Sequence, residues 1–435
     1  MLRTLFVAAV VLVGVTAGVR SRFAALLLYV WFALFRPEDW LWIDISALHP
    51  SLLAGLLLVV PALVTGVLPN LTHPLSVGAL AFLGVGLLAQ AGAVNPALGW
   101  GWIDQFARLV LVCLLTVTLL SSRRRYQLMV AVVGGSLGLL AAKAGLAWLA
   151  GGGPQFGEGL AGSFTDNNGY ALGVAMVIPF LVASGQNATR RSVRWGFYVA
   201  ALLSAFTVAG TYSRGGFLAL GAATLTFVAL NRHRLAALAG LAALTLALLA
   251  LAPFSDAYFH RLSTIETYQE AGDESALGRL HFWRVAVDMA SDRPLGVGLG
   301  NYEAAYDQYD TSEGRFGQRR AVHSSHFEVL AETGWLGAAV WVGLLTTAFG
   351  LALRVRRRSA LPTLSEPDAR FLRTSATALM ASMAAFVVGG AFIALALNEV
   401  TWFTFAMVAA LDRLSSAMTR EHAWTPAVQR GAMAA

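Results

Sequence analysis

Residues Leu109–Arg125 read LVLVCLLTVTLLSSRRR, an apolar run over Leu109–Leu120 closed by two serines and three arginines. A helix through such a run has no polar face to offer water, whereas a bilayer takes about 20 apolar residues per crossing, with about 17–25 as the working range. The same design recurs along the chain. Apolar stretches lie at 4–19, 23–36, 51–68, 75–94, 105–121, 127–150, 169–185, 195–211, 215–231, 234–252, 327–353, 371–397 and 399–412. Some are short, so the pattern predicts an all-α polytopic membrane protein with about 12 transmembrane helices. Composition agrees: 13% of residues are charged and 57% hydrophobic, against roughly 25% charged in soluble globular chains. Arg3 ahead of the first stretch resembles a signal peptide, but no small-x-small site precedes Arg20, so the stretch is read as a retained span.

Positive charge is almost all arginine, Lys143 being the sole lysine. A net +7 could point to nucleic acid, but the arginines cluster between apolar runs. Arg20/Arg22, Arg123–Arg125, Arg190/Arg191/Arg194, Arg232/Arg234 and Arg354/Arg356–Arg358 fall in every second loop. The positive-inside rule makes these loops cytoplasmic, and no nucleic-acid partner is expected. The alternate loops, 37–50, 95–104, 151–168, 212–214 and 253–326, then face the other side. Cys113 is the single cysteine, which excludes an internal disulfide, and no Cys/His zinc spacing exists. The chain divides into helices over 1–252, a large loop over 253–326, helices over 327–412 and a cytoplasmic tail over 413–435.

The loop holds 11 of the 24 acidic residues. Leu277, Leu280, Phe282, Trp283, Val287 and Met289 give helical spacing over 276–290, with a second helix at 299–310. The loop is too small for an ordinary independent domain and is expected to pack on the membrane part. No Walker P-loop, HExxH or GxSxG is present.

Four constellations carry candidate chemistry. In Thr211-Tyr212-Ser213-Arg214-Gly215-Gly216 an arginine stands between two apolar runs. It either snorkels to headgroups or presents its fork to phosphate. Gly278-Arg279-Leu280-His281-Phe282-Trp283-Arg284 puts Arg279 and Trp283 on one helix face. The Pro294-Leu295-Gly296-Val297-Gly298-Leu299-Gly300-Asn301-Tyr302 run after it lacks a βαβ context, and its plain reading is a flexible turn. Arg284 and Arg293 have acids such as Asp288 to pair with. At His323-Ser324-Ser325-His326, with Glu328 and Glu332 following, histidines sit where the loop re-enters the membrane and can exchange protons near neutral pH. A metal site is not expected, for want of a third ligand. Glu332 is either functional or a buried hydrogen-bonding group. Asp166-Asn167-Asn168-Gly169 either caps the next helix or contacts a glycan. Lys143 inside an apolar run pairs with a carboxylate or reaches an interface.

Taken in order, Ser213-Arg214-Gly215-Gly216, then Arg279-x-x-x-Trp283 with the Pro294–Gly300 glycine run, then His323…Glu332-x-Gly334-x-x-Gly337, resemble bacterial O-antigen ligases and the related O-antigen polymerases and protein O-oligosaccharyltransferases. Ser324 stands where that family has Asn, and His326 where it has an aromatic residue. The resemblance implies a fold similar to the C-type glycosyltransferase membrane fold, with the large loop periplasmic. It implies inverting, metal-independent transfer, without cofactor, from an undecaprenyl-diphosphate-linked glycan to a sugar hydroxyl of lipid A-core at the periplasmic face of the inner membrane. Arg214 and Arg279 would bind the diphosphate and His323 would activate the acceptor hydroxyl. Arg261, Arg319 and Arg320 are further phosphate or glycan contacts, with His326, Trp283 and Asn167 as additional substrate contacts. Phe35-Arg36-Pro37-Glu38-Asp39-Trp40 is similar to ligases labelled for O-glycosylation, so a protein acceptor or a growing glycan stays open. A transporter of polyprenyl-linked glycan or lipid is the reading from a different class; it calls for charged or broken helices at the bilayer midplane.

Overall fold

The computed structural model describes residues 2–41, 45–151, 166–231 and 274–433, with a few isolated positions between 235 and 246. The helices are α1 (Leu2–Arg20), α2 (Arg22–Phe35), α3 (Pro37–Trp40), α4 (Pro50–Val64), α5 (Pro74–Ala89), α6 (Pro96–Leu119), α7 (Arg123–Leu149), α8 (Asn167–Asn187), α9 (Arg191–Gly210), α10 (Arg214–Leu230), α11 (Glu274–Asp292), α12 (Tyr302–Tyr309), α13 (Ser325–Arg358), α14 (Glu366–Gly389) and α15 (Glu399–Met433). Among the described residues there is no strand. Eight helices among the described residues are long and apolar enough to cross a membrane, and α2, α4 and α10 are shorter apolar helices.

Every apolar stretch coincides with a helix except 234–252, most of which lies outside the described residues, as does Arg261. Three boundaries differ from expectation. The 371–397 stretch is helical only to Gly389, and 390–398 is irregular. The last helix does not stop near 412 but runs to Met433. Helix α13 is broken within: Gly334 has φ 65°, ψ −168°.

Local chemistry sets the helix starts. Ser122, Ser213, Ser324 and Ser365 each accept a backbone N–H of the first turn of their helix. Proline occupies the first turn of α4, α5, α6 and α14, where no N–H is needed. Without a hydrophobic drive between lipid-bathed helices, close backbone approach is what holds them together. Gly134 and Gly138 of α7 face Phe180 and Leu181 of α8, and a Cβ on Gly145 would stand 2.0 Å from the Leu203 carbonyl of α9. Ser204 and Thr207 donate across the same seam to the carbonyls of Gly138 and Ala141. Phe82, Phe106, Trp341, Trp402 and Phe405 form an aromatic knot between α5, α6, α13 and α15. In α1 and α4, large apolar side chains such as Leu12, Val13, Leu53 and Val64 face outward, as helices bathed in lipid should.

The arginine clusters gather at one end of this bundle. Arg123 pairs with Asp368 (3.1 Å) and Arg358 with Asp412 (2.8 Å). Arg125 lies over the Phe23 ring, Arg413 donates to Val117 O, and Arg356 donates to Leu230 O. Lys143, by contrast, stands 5.5 Å from the centre of the Trp40 ring. The opposite end carries α11 and α12, whose apolar faces make a second small core of Phe282, Val285, Met289, Tyr302 and Tyr306 with Val297, Val322 and Ala331. The described part of the loop, from 274 on, therefore packs on the bundle.

The Gly145 contact makes a test. Gly145→Val forces α7 and α9 apart at the Leu203 carbonyl, an overpacking change of about 1–3 kcal/mol or more. The thermal unfolding midpoint in detergent should fall, while the exposed Gly101→Val should leave it unchanged.

Candidate active site

The glycine run and the Glu332 block are two halves of one clasp. Val297 N–H donates to Ala331 O (2.9 Å) and Gly298 N–H to Glu332 O (3.1 Å). The Glu332 carboxylate, 5% exposed, accepts the N–H groups of Gly300 (2.8 Å) and Tyr302 (3.2 Å). Gly296, Gly298 and Gly300 all have positive φ (87°, 97°, 68°), which side chains disfavour. Space demands glycine as well: a Cβ would meet the Glu332 backbone from Gly296, Ala93 from Gly298 and the Trp102 ring from Gly300. On the other half, a Cβ on Gly334 would meet Pro294 O at 1.9 Å. Asn301 extends the clasp to the start of α6 by accepting the Asn95 N–H (2.6 Å), and Arg293 donates to Gly92 O (2.9 Å). The run is thus a bonded brace and not a flexible turn. Arg293 meets Asp292 (4.0 Å) and Tyr309 (3.2 Å).

The clasp fixes the start of α13, just beyond His323. Ser324 caps this helix by accepting Phe327 N–H. Ser325 is buried and bound from several sides: its N–H reaches Gly390 O and Ile393 O, its hydroxyl donates to Ile393 O, and Leu395 N–H donates to it. Glu328 accepts Ala396 N–H (2.9 Å). The irregular 390–398 segment thereby cradles the residues after His323. His323 itself has φ 49°, a left-handed conformation that costs a non-glycine residue about 1–3 kcal/mol and gathers at functional sites. Tyr212 (φ 54°) and Arg319 (φ 49°) share it.

Around His323 the charges converge. Burial holds its imidazole below the ordinary histidine range; Arg279 and Arg320 push the same way, while Asp166 opposes them. The ring is therefore neutral at neutral pH. Phe282 lies 6.0 Å from it, and the Arg320 guanidinium stands 5.7 Å from the Phe282 centroid. Asp166 caps α8 by accepting Asn168 and Gly169 N–H. Asn168 accepts the Ser213 hydroxyl (2.7 Å), and Asn167 donates to Thr211 O (3.0 Å). These bonds tie the start of α8 to the turn that launches Arg214. Gly215 and Gly216 allow that turn to lie against Ile393 and Ala171.

The expected residues thus separate. Arg279, Arg320 and His323 share one electrostatic neighbourhood, and Arg214 is joined to it through α8. Trp283 stacks on Phe327 (5.3 Å, 12°), and its buried indole N–H has no acceptor among the described residues, which leaves a donor for a ligand. Asn167 has its amide engaged by Thr211. His326 is held at both nitrogens: Trp341 donates to Nδ1 (3.2 Å), and Nε2 meets Val387 O (3.0 Å). Arg319 is exposed, with its N–H on Asp307. Among the described residues no three His, Cys, Asp or Glu side chains gather as a metal-binding group.

The sequence reading missed a half-buried pair. His281 Nε2 meets Asp310 Oδ1 at 2.7 Å. Asp310 also accepts Ser312 and Gly314 N–H and the Ser312 hydroxyl. Burial alone would raise the Asp310 pKa, but these hydrogen bonds outweigh it and hold the carboxyl well below the usual range. The pair anchors the loop that leads to Arg319 and Arg320. No spacing signals two residues 29 apart.

Residues 199–342 match the family model described as O-antigen ligase. Over this region the chain is similar to the O-antigen ligase family. The match runs from within α9 to the first turns of α13 beyond the kink, and so takes in Arg214, Arg279, His323 and the clasp. The start of α8 and the 390–398 cradle lie outside it. No curated protein matches the chain.

The clasp predicts its own failure. Glu332→Ala leaves the Gly300 and Tyr302 N–H groups without an acceptor, at roughly 1–3 kcal/mol for each buried donor. Its unfolding midpoint should drop, and amides of 296–302 should exchange faster, whereas Glu303→Ala should change neither.

Proposed function

We propose that this protein is an O-antigen ligase, an inverting glycosyltransferase. It would move a glycan en bloc from undecaprenyl diphosphate to a sugar hydroxyl of lipid A-core, with its site facing the periplasm from the inner membrane. One observation carries the reading: a neutral, half-buried histidine lies under the field of two arginines at the end of the bundle opposite the arginine-rich loops. That arrangement suits a reaction with a hydroxyl nucleophile and a diphosphate leaving group.

In this mechanism the acceptor oxygen attacks the anomeric carbon as the bond to the diphosphate oxygen breaks. His323 takes the hydroxyl proton, a task for which a base neutral at working pH is required. Charge develops on the departing diphosphate, and Arg279 and Arg214 stabilise it through forked N–H donors in a water-poor site. Arg320 adds to the field, and the Trp283 N–H supplies a further donor. One displacement inverts the anomeric configuration. The arginines provide the positive charge that a divalent ion would otherwise bring, so EDTA should leave turnover unchanged.

The deciding assay is reconstituted transfer with purified chain, undecaprenyl-diphosphate glycan, and either lipid A-core or a Ser-rich peptide. Product on lipid A-core supports the ligase. Product on the peptide, or a lengthened donor glycan, moves the same site to the protein-glycosylating or polymerising branch. Donor crossing the bilayer without transfer would replace the reading by transport.

Arg214→Ala and Arg279→Ala should each abolish transfer with unchanged unfolding midpoints, and lysine should rescue only in part because it lacks the fork. His323→Ala should stop transfer while donor binding persists; wild-type turnover in any of these would end the assigned role. The pH profile gives a signed test. A base with a lowered pKa loses activity only below the ordinary histidine value of about 6.5. Arg320→Gln removes a positive charge that disfavours the imidazolium, so the acid limb should move to higher pH.

A further inference from the structure

A cavity of about 330 Å³ lies between α2, α4 and α6, apart from His323. Its walls are mostly apolar, with Leu56 and Val59 of α4 and Phe106 and Val112 of α6 among them. Leu56 is 48% exposed, whereas Phe106 and Val112 are 1% and 2% exposed. The cavity therefore runs from a lipid-facing helix inward to side chains that bulk lipid does not reach. Arg36, Arg108 and Glu399 also line it. Each arginine holds a neighbouring carboxylate: Arg36 pairs with Asp39 (2.6 Å) and Arg108 with Asp104. A guanidinium has five N–H donors in a fixed fork, so donors remain on both. The lining also includes Trp102, whose ring packs on Gly300 of the clasp.

An apolar pocket with two guanidinium groups and a carboxylate on its lining matches an amphiphile that carries phosphate and ammonium together. We propose that this cavity binds a phosphatidylethanolamine-type lipid. One acyl chain lies along Leu56, Phe106 and Val112, the phosphate meets Arg36 and Arg108, and the ammonium faces Glu399. A simple anionic lipid fits less well, because carboxylates already neighbour both arginines. The site stands apart from the transfer chemistry and does not depend on it.

The test uses the full chain in dodecyl maltoside with phosphatidylethanolamine carrying a diazirine in its acyl chain. After irradiation, label should appear on Phe106 and Val112 and be displaced by unlabelled phosphatidylethanolamine but not by diacylglycerol. Leu56→Trp, at an exposed position, should fill the mouth and remove that label while label on the outward-facing Leu53 and Leu63 stays. Arg108→Gln should lower it about ten-fold, the effect of losing one charge-assisted hydrogen bond. The site is overturned if Phe106 and Val112 take no displaceable label, if the label survives Leu56→Trp, or if diacylglycerol competes equally well.

Discussion

The Glu332 carboxylate, buried where α13 breaks and bonded to two N–H groups of the glycine run, is the constraint on which the site end of this molecule depends. A buried acceptor of this kind must be satisfied, and here it is satisfied by a segment 30 residues earlier in the chain. The bond pair fixes the kink at Gly334, the turn into α12 and, through Asn301 and Trp102, the start of α6. Glycine is required on both sides because the two backbones touch. Motifs that look like loose turns or phosphate cradles in the sequence are the two faces of one brace.

On that brace rests a division of labour. The bundle supplies small-residue seams, a lipid-facing skin and one end crowded with arginines. The other end carries a small second core around Phe282 and Tyr306 that holds Arg279 and Arg320 toward His323. Segments distant in sequence are joined there by short polar links: Asn167 to Thr211, Asn168 to Ser213, and Ser325 to the 390–398 cradle. The cradle explains why α14 ends at Gly389 although apolar residues continue. The Gly390 and Ile393 carbonyls accept from Ser325, and the Leu395 and Ala396 N–H groups donate to Ser325 and Glu328.

Two histidines three residues apart illustrate how environment separates roles. His326 lies inside the helix, with Trp341 and a carbonyl on its two nitrogens. His323 sits on left-handed backbone outside the helix, where burial and two arginines keep the ring neutral. The same residue type is bonded at both nitrogens in one place and is a candidate base in the other.

The sequence alone determined that the chain is helical and built for a membrane, because charge-free runs of membrane length admit few other structures. It also determined the alternation of arginine loops, the helix cap at Asp166, and the candidates Arg214, Arg279 and His323, since arginine and histidine at polar breaks between apolar runs are costly unless used. Only the tertiary structure decided that Glu332 mates with the glycine run, that His281 mates with Asp310, that Asn167 and His326 are engaged within the protein, and that α14 stops short. Those outcomes are pairings between residues tens of positions apart. Hydropathy and local spacing carry no information about which distant N–H a buried carboxylate will accept.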